Sequence, residues 1–74
     1  MSVEEFLRYS MVHGRRIKAI LLLDGQLVQQ NILIIRYTLE EFTYTSAKQK
    51  SPHTLPMTSL LSAGYARGDA GETE

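Results

Sequence analysis

Six basic side chains and one aromatic ring are the residues of this chain whose types and spacing offer chemistry. Arg15, Arg16 and Lys18 crowd one short stretch, while Lys48, Lys50 and His53 follow thirty residues later, beyond Tyr44. If the start of the first strand lies near the turn that carries the lysines, the cations make one patch that grips phosphates. Tyr44 or Tyr37 beside it then stacks on a base, the usual arrangement for single-stranded nucleic acid. The competing reading is that basic residues keep sheet edges soluble and block edge-to-edge pairing. Charge placement is compatible with both. The net charge is zero, yet seven basic residues face three acidic ones between Arg15 and Arg67, and the balancing acids sit in the end segments at Glu4, Glu5, Asp69, Glu72 and Glu74.

Other chemistries lack the residues they need. The chain has no cysteine, so disulfides and thiolate catalysis are excluded, and an intracellular location in the cytoplasm is expected. His13 and His53 have no Cys, His or carboxylate at metal-ligand spacing beside them, so no metal is expected. Ser59 and Ser62 stand in no nucleophile motif and no Gly-rich loop is present to cradle phosphates. The chain therefore reads as a non-enzyme without cofactors. The longest apolar run, Ala19 to Leu23, is too short to cross a bilayer, and no charged-then-apolar signal segment opens the sequence. Arg67-Gly68-Asp69 spells an adhesive tripeptide, a three-letter match read as chance.

The elements that must position the basic residues centre on Asp24-Gly25. An Asp-Gly pair between apolar runs predicts a two-residue hairpin, because a type I′ turn needs positive φ at both central residues. That register places Ile17, Ala19, Leu21, Val28, Ile32 and Ile34 on one surface, the expected core. Ile20, Leu22, Leu27, Leu33 and Ile35 then occupy the opposite face, which a curled sheet or a second subunit must cover. Gln29, Gln30 and Asn31 read as exposed polar positions or as groups that read a partner. Before the hairpin, Ser2-Val3-Glu4-Glu5 is a capping box, and Val3, Phe6, Leu7 and Met11 form the apolar stripe of a helix over about 2–13, closed by Gly14. After it come a third strand over 41–47 with Phe42 and Tyr44 pointing inward, and the polar turn Lys48–Pro52. A short strand over 53–55, one helical or 3₁₀ turn over 57–61 and a last strand over 62–66 complete the order. The domain is expected to span residues 1–67, followed by a disordered acidic tail over 68–74.

This order predicts a mainly β fold: a small, strongly bent five-stranded antiparallel barrel of SH3/Sm-like type with one N-terminal α-helix. Leu22-Leu23-Asp24-Gly25-Gln26-Leu27-Val28 resembles the first hairpin of Sm-like proteins, which also place a short helix before five bent strands. The chain is similar, more closely, to the WYL domain, an Sm-like module of bacterial regulators. Its His53 to Leu60 segment matches the family's closing segment in apolar rhythm, although neither arginine of that segment is present. Phe42-Thr43-Tyr44 stands where the family has Trp-Tyr-Leu. The resemblance implies ligand or nucleic-acid sensing linked to transcriptional regulation. In Sm-like rings an Arg-Gly pair near the junction of the last two strands lines the RNA channel, and Arg67-Gly68 looks similar but precedes an acidic segment instead of an apolar strand. The expected function is a non-catalytic module that binds single-stranded RNA or DNA through Arg15, Arg16, Lys18, Tyr44, Lys48, Lys50 and His53. The alternative is a structural or assembly protein whose apolar sheet face makes a homo-oligomer or docks on a larger partner.

Overall fold

A computed structural model describes residues 2–71. Helix α1 (Val3–His13) starts where the sequence asks it to: the Ser2 Oγ accepts from the Glu5 N–H at 3.4 Å. It ends at Gly14, whose left-handed φ of 64° lets its N–H reach back to the Ser10 carbonyl. Five strands follow, β1 (Ile17–Leu23), β2 (Gln26–Tyr37), β3 (Glu41–Ser46), β4 (His53–Pro56) and β5 (Leu60–Tyr65), with a 3₁₀ turn at Met57–Ser59 between the last two. Asp24 and Gly25 have φ of 50° and 77°, the type I′ hairpin, and the pairing of Ile17 with Ile32 through Leu23 with Gln26 is the register expected.

The strands form one antiparallel sheet in the order β4-β3-β2-β1-β5. This corrects the expectation of a closed barrel: among the described residues β4 and β5 do not pair, so the sheet has two ends. The long β2 serves two neighbours in succession, β1 up to Ile32 and β3 from Ile32 onward. A bulge between Ile34 and Arg36, and another between Ile20 and Leu21, break the regular ladder and re-aim the strands there.

The core contains Ile17, Ala19, Leu21, Ile32, Ile34, Phe42, Tyr44 and Leu60 of the sheet with Phe6, Leu7 and Tyr9 of the helix. Three sequence expectations shift. Met11 is exposed, because the helix turns Ser10 inward in its place: the buried Ser10 Oγ accepts from the Ile34 N–H at 3.0 Å. Val28 is only half-buried, since it lies toward the hairpin tip, beyond the part of β2 that β3 accompanies. The last strand begins at Leu60, not Ser62, because Leu60 pairs with Leu21 and is buried there.

Candidate functional site

The outer face of β1 carries the first group of cations. Lys18 stands on the face opposite the buried Ile17, Ala19 and Leu21, Arg16 immediately precedes the strand, and both are exposed. Lys18 lies opposite Asn31 of β2 and Gly64 of β5. Asn31 in turn lines a recess of about 290 Å³ with Gln29, Gln30, Ser46, Ala47 and Lys48, so Lys18 and Lys48 flank Asn31 from either side. A second open recess, about 650 Å³, collects Arg15, Arg16 and Arg67 around Leu33 and Ala66. Arg67 thus joins the basic end of the sheet through the chain's return, a placement its own sequence neighbours do not signal.

Arg15 belongs to a different arrangement. Its Nη1 donates to the Tyr9 hydroxyl at 2.9 Å and lies 3.5 Å from Asp69 Oδ1. The same hydroxyl sits 2.8 and 2.9 Å from the two Asp69 carboxylate oxygens and donates to them, while the Gly71 N–H donates to Asp69 Oδ1 at 2.8 Å. The Gly71 N–H, then the Tyr9 hydroxyl, hold the Asp69 carboxyl below the usual carboxylate range. Burial, followed by the hydrogen bond to Asp69, pushes the Tyr9 phenol up, so Tyr9 is a neutral donor and not a base. Edge-on contacts of the Tyr65 ring with Phe6 and Tyr9, at 4.9 and 5.2 Å between centroids, complete this seam between α1 and the end of β5. Asp69 falls in the segment expected to be a disordered tail, of which residues 72–74 lie outside the described residues.

The remaining expected site residues are dispersed. Tyr44 is 3% exposed, packed against Phe42 at 5.6 Å between rings, so it offers no face on which a base can stack. Burial raises its phenol pKa, consistent with a ring that stays neutral in the core. His53 opens β4 opposite Tyr44 and is exposed, its ring 6.1 Å from that of Tyr44. Lys50 is exposed in the β3–β4 turn. The carboxylates gather elsewhere: Glu4 lines a small recess with Tyr37, Thr38 and Leu39, next to Glu40 and Glu41 in chain order. Among the described residues no group of three or more His, Asp or Glu side chains is placed to hold a metal, and no helix is long and apolar enough to cross a membrane.

No protein-family model, curated protein or solved structure matches this chain. The arrangement of its own residues is therefore what a functional reading rests on.

Proposed function

We propose that this protein is a non-catalytic cytoplasmic binding module that holds single-stranded RNA or DNA on the outer face of its sheet, in a regulatory setting. Its architecture is taken as an open, Sm-like five-stranded sheet with a leading helix, related to the WYL domain, a reading supported by the helix, the Asp-Gly hairpin and the five strands in that order. One observation carries the functional reading: several cations gather around one end of the sheet. Arg16 and Lys18 are exposed at the start of β1 with Lys48 and Arg67 on the flanks, while Glu4, Glu40 and Glu41 lie at the other end of the helix and sheet. Among the described residues the carboxylate at the basic end, Asp69, is engaged by Tyr9, Arg15 and Gly71. Such a face attracts a polyanion and releases its counterions on binding.

Fluorescence titration with labelled oligouridylate and oligothymidylate at low and moderate salt tests this. Binding that weakens as salt rises, and that is lost in the Arg16→Glu, Lys18→Glu double variant, is the expected result. No binding at either salt overturns the reading. A second reading, assembly through an apolar face, is favoured by Leu22 and Leu27. These are cross-strand partners near the hairpin tip and are 40% and 68% exposed, with Leu61 exposed at the β1–β5 bulge. Light scattering at high concentration decides it, since a monomer removes the homo-oligomer.

A further inference from the structure

The two halves of β2 are paired differently, and the difference leaves an edge bare. In a two-residue type I′ hairpin the flanking residues, here Leu23 and Gln26, exchange hydrogen bonds, and the pattern alternates from there. Gln26, Val28, Gln30 and Ile32 therefore turn their peptide groups toward β1, whereas Leu27, Gln29 and Asn31 turn theirs to the opposite edge. The β3 ladder begins only at Ile32 with Ser46, so among the described residues no strand covers Leu27 to Gln30 on that side. Leu27 and Gln29 are exposed, and the N–H and C=O of each face an unpaired edge about 7 Å from the next such set.

The β4 edge, by contrast, is guarded. On β4, Phe42 with Leu55 and Tyr44 with His53 take the ladder bonds, so the positions facing outward are Thr54 and Pro56, with Pro52 just before the strand. Two of these three have no N–H, which leaves Thr54 as the single donor of that edge. On β5 the Tyr65 ring packs against Phe6 and Tyr9 of the helix, while the outward backbone groups of Ala63 and Tyr65 form the sheet's other end and serve as the comparison edge for hydrogen exchange. The β2 segment carries no proline, and its surroundings are charged: Lys18 faces Asn31, Lys48 lines the recess beside Gln29, and among the described residues no carboxylate lines that recess.

We propose that an extended acidic peptide adds as a further strand to the bare edge of β2 at Leu27–Asn31, its carboxylates beside Lys18 and Lys48. The edge itself selects this occupant. A peptide strand supplies both donors and acceptors at the spacing of Leu27 and Gln29, while a phosphodiester chain only accepts and leaves both carbonyls unmet. The proposal stands independently of the nucleic-acid reading.

The full chain, labelled with ¹⁵N, is titrated with a capped hexapeptide of alternating Glu and Val, and amide hydrogen exchange is followed residue by residue. The expected result is saturable binding in which the Leu27 and Gln29 amides slow by roughly tenfold or more, as new ladder bonds protect them. The same peptide N-methylated at alternate residues, and its Lys-for-Glu counterpart, bind at least about tenfold more weakly. Gln29→Pro removes an outward donor without touching a bond to β1, and Lys48→Glu reverses the charge without touching the backbone. Each weakens binding of the acidic peptide, and Lys48→Glu decides the matter if Gln29→Pro does not fold. Equal binding of the N-methylated peptide, protection at Ala63 and Tyr65 of β5 instead, protection of Leu27 and Gln29 by oligothymidylate but not by the peptide, or no binding at all overturns the proposal.

Discussion

Replacing Ser10 with alanine probes how the helix is fixed to the sheet. β1 begins at Ile17 opposite Ile32, so two residues further along β2 the Ile34 N–H points past the start of β1, where no strand is present to accept it. Ser10 stands in that place, its Oγ accepting at 3.0 Å, with the residue fully buried. The Ser10→Ala variant leaves a buried amide without a partner, at a cost of about 1–3 kcal/mol. The gap left by one hydroxyl is too small to admit a water in compensation. Alanine returns about 0.5 kcal/mol through its better helix propensity. The net loss is about 0.5–2.5 kcal/mol, which for a domain of this length lowers Tm by roughly 2–20 °C. Thermal melts by circular dichroism, combined with amide exchange at Ile34, provide the assay. Ser2→Ala is the comparison: it removes an exposed helix cap worth about 1 kcal/mol and leaves exchange at Ile34 coupled to the rest of the sheet. If Ser10→Ala melts with the parent and the Ile34 amide remains as protected, the serine is not the acceptor that matters and the account of the helix–sheet junction fails.

Three further outcomes follow from the same structure. Asp69→Asn lowers Tm at neutral pH; because the folded carboxyl is held below its ordinary 3.8, the contribution is complete above that value and disappears as pH falls through the depressed one, so the two melting curves converge in acid. Tyr9→Phe removes a group whose folded pKa lies above 10.0, so the stability it confers is present below that value and is lost as pH rises through the raised one, seen as convergence of the variant and parent in alkali. Gly25→Val forces a β-branched residue into φ of 77° at the hairpin tip, costing about 1–2 kcal/mol by chemical denaturation, and an unchanged midpoint refutes the turn assignment.

The parts of the fold legible in the sequence are those fixed by local rules. Asp24-Gly25 sets a turn whose geometry dictates every pair from Leu23 with Gln26 to Ile17 with Ile32, and Ser2 and Gly14 bound a helix by capping alone. The helix's rotation was not legible, because an apolar stripe through Met11 is the better pattern by hydropathy. What selects Ser10 is a single backbone amide on β2, 24 residues away. Closure of the sheet was misread for a related reason. Whether a sheet's end strands meet depends on bulge positions and on where β2 changes partner, and no residue type marks Ile32 as that point.

The basic residues show the same division with a functional consequence. Their types predicted cations near one another, and the outward face of Lys18 follows from strand alternation alone. Which of them remains available to a ligand depends on a contact between Tyr9 and Asp69, 60 positions apart. That contact draws Arg15 into the helix–tail seam and leaves Arg16, Lys18 and Arg67 as the cations facing outward. Breaking the seam therefore has a sign that distinguishes the two roles. In Asp69→Asn one negative charge leaves the basic end, so oligonucleotide affinity rises. A fall in affinity, measured at a temperature where the variant is fully folded, refutes the assignment of Asp69 as a competitor for the cations proposed to hold phosphate.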